Sequence, residues 1–221
     1  MLDNIGFDLW AKYYDKSTEK SNDEYSYPFA GYYEILKIIY ETVCEQKKDG
    51  YILDVGFGTG TLTEKFYQNG YSVTGIDFSQ KMIEAANLKM PNANLIQHDF
   101  STGYPSALKE KTFDFIISTY AIHHLSTQQK INFIQQLLKH LNPNGLLLIG
   151  DVGFSTKKEL ESCRQYYKDT WDEDEIYITE EELHPYFPNM VFRKVSFCSG
   201  IFIFPTANLY KIYFTHERRF L

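Results

Sequence analysis

The chain has 221 residues and a mass of 25.9 kDa, which suits one large domain. With 43% hydrophobic and 23% charged residues it has the composition of an ordinary globular protein. A net charge of −7 and a pI near 5.4 argue against a nucleic-acid backbone as the main partner, because phosphate binding calls for a basic stripe. Cys44, Cys163 and Cys198 are far apart and odd in number, and fit neither a metal site nor a disulfide framework. The first residues lack a signal pattern and no apolar run approaches ~18 residues, so the expected setting is cytoplasmic and away from the membrane.

Along the chain, residues 33–43 carry a helical period, with Tyr32, Ile35, Leu36, Ile39 and Val43 on one face. A short strand over Tyr51–Val55 runs into Gly56-Phe57-Gly58-Thr59-Gly60, and a helix follows that Gly70 stops. A second strand covers 72–76; Ser79 caps a helix to about residue 88, and Pro91 closes it before a third strand over 93–97. Residues 113–118 form the apolar run of a buried parallel strand. Ser126 and Gln129 make a capping box ahead of Ile131, Phe133, Ile134 and Leu137. Asn142-Pro143-Asn144-Gly145 is a turn before a fifth strand over 146–150. Residues 155–176 have a polar helical look, and Thr179 with Glu182 forms a second capping box. Two strand-like runs, 191–198 and 208–214, are separated by Gly200 and Pro205 and suggest a terminal antiparallel pair. The alternation predicts an α/β fold, a doubly wound and mostly parallel sheet with an antiparallel C-terminal strand, built as one domain over 1–221.

The glycine turn carries the functional signal. Three glycines at alternate positions after a buried strand remove the Cβ atoms that would keep a ligand off the main chain. A dinucleotide fingerprint needs Gly-x-Gly-x-x-Gly, yet Thr61 or Thr63 stands at the third position in either register. Asp54, two residues before the first glycine, can instead face an ammonium group, which a phosphate-free sulfonium cofactor tolerates. Asp77 follows Gly56 by 21 residues at the tip of the next strand, where a carboxylate can accept from both ribose hydroxyls. Asp99-Phe100 ends the third strand and suits an adenine, the acid for its amine and the ring for its face.

The segments DVGFGTG, GIDFSQKM, HDF, FDFIISTYAIHHL and LNPNGLLLIGDV, in this order, resemble the class I S-adenosylmethionine-dependent methyltransferases. The segment FDLWAKYYD near the start resembles a bacterial group of small-molecule methyltransferases. The resemblance implies a seven-stranded sheet and S-adenosyl-L-methionine as cofactor. It implies Gly56, Gly58 and Gly60 beneath the methionine and ribose, Asp77 on the ribose, and Asp99 and Phe100 on adenine. It further implies Thr119 and Tyr120 at the methionine end and Tyr14 as a lid residue within an N-terminal lid segment, 1–30.

Methyl transfer from a sulfonium is an in-line displacement, and a neutral acceptor must also lose a proton. His123 and Asp151 are the candidate bases, each just beyond a strand end. Asp151 is followed by Val152, without the acidic pair of a magnesium-dependent catechol methyltransferase, so no required metal is expected. Nor does Ser118-Thr119-Tyr120-Ala121 match the motif of adenine or glutamine amino methyltransferases. Substrate choice falls to 1–30 and a helical insertion over 154–190, where aromatic and acidic residues suit a small amine-bearing or aromatic molecule. The expected function is methyl transfer to a small molecule. The alternatives are an RNA or protein methyltransferase, or a cofactor-binding regulatory protein.

Overall fold

The computed structural model describes residues 25–206. Helix α1 (Tyr32–Gln46) precedes β1 (Tyr51–Val55), α2 (Thr63–Gln68), β2 (Ser72–Asp77), α3 (Gln80–Lys89) and β3 (Asn94–Gln97). Next come β4 (Phe113–Thr119), α4 (Thr127–Leu138), the long β5 (Leu141–Phe154), α5 (Lys157–Tyr166), β6 (Ile178–Thr179), α6 (Glu180–Leu183), β7 (Val191–Lys194) and β8 (Ser199–Pro205). The sheet runs β3-β2-β1-β4-β5-β8-β7, with β6 paired to the end of β5. Strands β1 to β5 are parallel; β8 is antiparallel to both β5 and β7. The connection reverses direction between β1 and β4, and such a switch point opens a crevice at the strands' carboxyl ends.

Side chains alternate across the sheet and feed two cores. Ile52, Phe115, Ile117, Leu146, Leu148, Ile201 and Ile203 meet the α1 stripe on one face. Leu53, Ile116, Leu147, Ile149, Phe202 and Phe204 meet Ile131, Phe133, Ile134 and Leu137 of α4 on the other. The stripe expected for α1 is the one buried. Both capping boxes close as expected, at Ser126 with Gln129 and at Thr179 with Glu182.

Three expectations need correction. The final antiparallel pair is β7 with β8: residues 199–205, which the sequence reads as the break, form β8, and 208–214 lies outside the described residues. Gly200 did not break the strand because the Phe192 ring of β7 occupies the place of its side chain, 2.5 Å from where a Cβ would stand. The helix after residue 155 ends at Tyr166, and the chain to Ile176 runs in turns. The 142–145 turn is a bulge inside β5: β5 advances from Leu141 to Leu146 while β4 advances only from Phe113 to Phe115, with Asn144 at φ +69°.

Candidate active site

At the end of β1 the glycine turn is pinned to β2. Gly56 N–H donates to the Ile76 carbonyl at 2.8 Å, and Gly58 N–H donates to Asp77 Oδ2 at 2.9 Å. Asp77 Oδ1 accepts from Ser79 N–H at 2.9 Å, so one buried carboxylate ties the turn to the start of α3. All three glycines have positive φ. They do different work. A Cβ on Gly56 would lie 2.4 Å from the Ala121 Cβ, and one on Gly60 2.8 Å from Met90 Cε. A Cβ on Gly58 would meet nothing within 4 Å, so of the three only Gly58 leaves open space beside its Cα.

That space is a cavity of about 460 Å³. Gly56, Gly58, Asp77, Phe78 and Phe100 line it from the ends of the first three strands, and Met82 from the first turn of α3. Tyr27, Phe29, Tyr120, His123 and His124 line it from the segment before α1 and the turn after β4, and Asp172, Asp174 and Glu175 from the loop after α5. A small void of about 20 Å³, also bordered by Gly56 and Gly58, holds Asp54 and Thr119. Asp54 is 1% exposed; Thr63 donates to its Oδ2 at 2.5 Å, and its Oδ1 has no hydrogen-bond partner. Burial pushes its pKa up to about 7, with the Asp77 charge adding to the rise and the Thr63 bond opposing it.

The remaining predicted residues divide. Phe100 faces the cavity, whereas Asp99 is exposed, accepts Ser101 N–H at 2.8 Å and caps the turn that follows, outside the cavity lining. Tyr120 (φ +49°) lines the cavity and packs on Phe29 and Tyr32, while its phenol oxygen is buried with no hydrogen-bond partner. Tyr14 lies outside the described residues. Phe78 and Met82, which the sequence motifs did not single out, add apolar surface beside Phe100.

His123 and Asp151 come together. Asp151 Oδ1 lies 2.7 Å from His123 Nδ1 and also accepts Val152 N–H at 2.8 Å. Asp151 is 1% exposed and is not among the residues that line the cavity; its carboxylate meets the His123 imidazole instead. His123 Nε2 lies 3.5 Å from Glu175 Oε1. Burial works against a charge on His123, but the Asp151 and Glu175 carboxylates outweigh it and raise its pKa above the usual histidine value. Burial and the neighbouring His123 push His124 down to about 3. One nitrogen from each histidine and one Glu175 oxygen lie within 4.8 Å of one another.

The loop carrying Glu175 is fastened from below. Ile176 N–H donates to the His123 carbonyl at 2.9 Å, and the buried Lys130 ammonium donates to the carbonyls of Leu125 and Ile176. Burial lowers Lys130 to about 8, against the pull of Asp151, Glu182 and Glu175. Tyr177 donates to Glu175 Oε2, and its phenol oxygen lies 2.5 Å from that of Tyr27. Trp171 stacks on Tyr27 at 5.0 Å and meets Tyr177 edge-on. Glu175 and Tyr177 fall in the aromatic and acidic stretch that the sequence assigns to substrate choice, whereas Tyr27 and Lys130 are not singled out there; Lys130 left a trace, as a cation inside the apolar face of α4.

Comparison with known proteins decides the family. A methyltransferase domain model matches residues 52–145. A methyltransferase of Alkaliphilus oremlandii is 35% identical over 152 residues, covering 69% of this chain and 68% of its own length. The chain belongs to the class I S-adenosylmethionine-dependent methyltransferases. A further methyltransferase, from Geobacillus thermodenitrificans, is 33% identical over 198 residues, covering 86% of this chain and 88% of its own. Among solved structures, the DhpI–SAH complex superposes with a TM-score of 0.66 at 15% identity, over 90% of this chain and 93% of DhpI. The magnesium protoporphyrin IX methyltransferase ChlM of Synechocystis, with SAH bound, gives 0.62 at 17% identity over 80% of this chain and 84% of its own. These likenesses establish the fold of the methyltransferase. No helix among its described residues is long and apolar enough to cross a membrane.

Proposed function

We propose that this methyltransferase transfers the methyl group of S-adenosylmethionine to a small molecule held between the glycine turn and the His123–Glu175 wall. The cavity itself carries the reading: it joins the open face of Gly58 and the Asp77 carboxylate to His123 and Glu175 in one space of about 460 Å³, within the usual size range for small-molecule sites. The cofactor fits the residues present. The unpartnered Asp54 Oδ1 is a buried acceptor in search of a donor, and the ammonium of the methionine moiety supplies one. Asp77, which holds Gly58 and Ser79, borders the cavity where the ribose would lie, and Phe78, Met82 and Phe100 give adenine an apolar bed. Thr119 and Tyr120 then border the methionine end.

Catalysis in this reading is alignment and proton removal. The bound cofactor supplies an electrophilic methyl group. The chain's own residues seat the acceptor on the wall formed by residues 27–29, the His123 turn and the 172–175 loop, which covers part of the expected 1–30 and 154–190 substrate regions. Asp151 and Glu175 flank His123 and favour its charged form, and the imidazole in turn holds the Glu175 carboxylate in place. No metal is needed for these steps.

Titration calorimetry with S-adenosylmethionine and NAD tests the cofactor half of the proposal. Binding of the first and none of the second is expected. Binding of NAD alone would overturn the reading of the glycine turn.

A further inference from the structure

We infer that Tyr27, Tyr177 and Glu175 form a proton relay that takes up the acceptor's proton during methyl transfer, so the acceptor carries a removable proton on a hydroxyl, thiol or neutral amine. The inference rests on the methyl-transfer reading above and adds the path of the proton and the class of acceptor.

Counting protons sets the direction of the chain. Tyr177 has one hydroxyl proton, and it goes to Glu175 Oε2. The 2.5 Å contact between the two phenol oxygens therefore has Tyr27 as its donor. With its own proton committed, Tyr27 can only accept, as it does from the Asp172 backbone N–H, and it borders the cavity. Tyr177, 6% exposed, is sealed between Tyr27 and Glu175 and does not line the cavity. The path runs one way: acceptor to Tyr27, Tyr27 to Tyr177, Tyr177 to Glu175.

Glu175 is the proton's destination. Glu175 Oε1 sits 3.5 Å from His123 Nε2, and His123 Nδ1 is held at 2.7 Å by Asp151. An imidazole with a carboxylate on each nitrogen is poorly placed to accept a further proton, whereas Glu175 has lone pairs for one. Lys130 and the Ile176–His123 backbone bond keep Glu175 against the imidazole. The other titratable groups at this wall are the acids Asp172 and Asp174 and the imidazole of His124, which burial and His123 keep neutral.

The step balances. The acceptor atom forms a bond to the methyl carbon as the carbon–sulfur bond breaks, and that electron pair goes to sulfur. The acceptor's proton moves to Tyr27, the Tyr27 proton to Tyr177 and the Tyr177 proton to Glu175. One sulfonium charge and one carboxylate charge disappear together. Among the described residues lining the cavity there is no lysine or arginine, while Asp77, Asp172, Asp174 and Glu175 are all acids. His123 is the one cation those described residues offer and it is already paired with Asp151 and Glu175, so a carboxylate or phosphate acceptor would face a wall of net negative charge, and the acceptor is neutral or cationic.

The experiment uses the full chain with methyl-labelled S-adenosylmethionine and a panel of small phenols, alcohols, thiols and amines. Tyr27→Phe, Tyr177→Phe and Glu175→Gln are each expected to keep cofactor affinity within about threefold by calorimetry while kcat falls about 10²-fold or more, the usual scale of general-base loss. Because the three act in one path, Tyr27→Phe with Glu175→Gln is no slower than the worse single variant. Near wild-type kcat in any of them, or fully additive losses, would overturn the relay. A second measurement needs no acceptor. Histidine ¹⁵N shifts should place His123 as imidazolium at neutral pH and show its pKa falling in Glu175→Gln; a neutral His123 indifferent to that change also overturns the relay. Failure of wild-type protein to bind the cofactor at all strikes the underlying reading instead, so the two failures are distinguishable.

Discussion

Replacing Asp54 by Asn separates the cost of a buried acid from its use. In the folded chain this carboxyl titrates near 7 rather than at 3.8, chiefly because burial disfavours its charge. The sign follows. Below 3.8 both folded and unfolded chains hold the proton and there is no penalty. Between 3.8 and about 7 the unfolded chain gives up its proton first, so stability falls as pH rises. Above about 7 the full penalty applies, on the order of 4 kcal/mol for a carboxyl displaced this far. Asn keeps the oxygen that accepts from Thr63 and removes the ionisation, at a pH-independent cost of about 1–3 kcal/mol for a buried amide in place of the unpartnered Oδ1. Denaturant unfolding of cofactor-free protein should therefore show the stability of wild type relative to Asp54→Asn falling from pH 5 to 8, since His123, His124 and Lys130 titrate alike in both proteins and cancel in the difference. The cofactor's ammonium reverses the balance: affinity for S-adenosylmethionine in wild type should climb up to about tenfold per pH unit below 7 and level off above it. Asp54→Asn should lose both the affinity and its rise with pH. Parallel stability curves for the two proteins would refute the placement of a strained, buried acid beneath the cofactor.

The glycines give a contrast within one turn. Gly58→Ala should fold with a melting temperature lower by only a few degrees, since the left-handed backbone costs about 1–2 kcal/mol, yet lose cofactor affinity because its methyl enters the cavity. Gly56→Ala should instead be severely destabilised by its collision with Ala121; equal melting temperatures would contradict this division. Asp77→Ala should cripple cofactor binding by calorimetry and also lower stability by about 1–3 kcal/mol, as Gly58 and Ser79 lose their partner. Unchanged affinity would remove Asp77 from the site. Lys130→Met should loosen the Glu175 loop, read as faster hydrogen exchange at Ile176 and a lower kcat with cofactor affinity intact; an unaltered exchange rate would mean that the lysine does not fasten the loop.

The parallel half of the fold and the cofactor side of the site were legible because they are local. Each strand, cap and glycine from Tyr51 to Asp99 signals itself within a few residues, and period 2 along β1, β4 and β5 predicts two cores. The antiparallel edge was misread for a physical reason: Gly200 looks like a breaker until the Phe192 ring is seen to fill its place. The acceptor wall was illegible because its contacts are remote. Tyr27 meets Tyr177 across 150 residues, and Glu175 meets His123 from a loop that reads as helix. Asp151 could be singled out as a strand-end acid, but only the fold reveals that it touches His123 and not the cavity.

The decisive measurement is of what receives the methyl group. Methyl-labelled S-adenosylmethionine, incubated with the protein and a cell extract and then separated into small-molecule, RNA and protein fractions, should pass its label to the small-molecule fraction, and Glu175→Gln should abolish that transfer. Label confined to RNA or protein, or no transfer by a protein that binds the cofactor, would contradict the proposal.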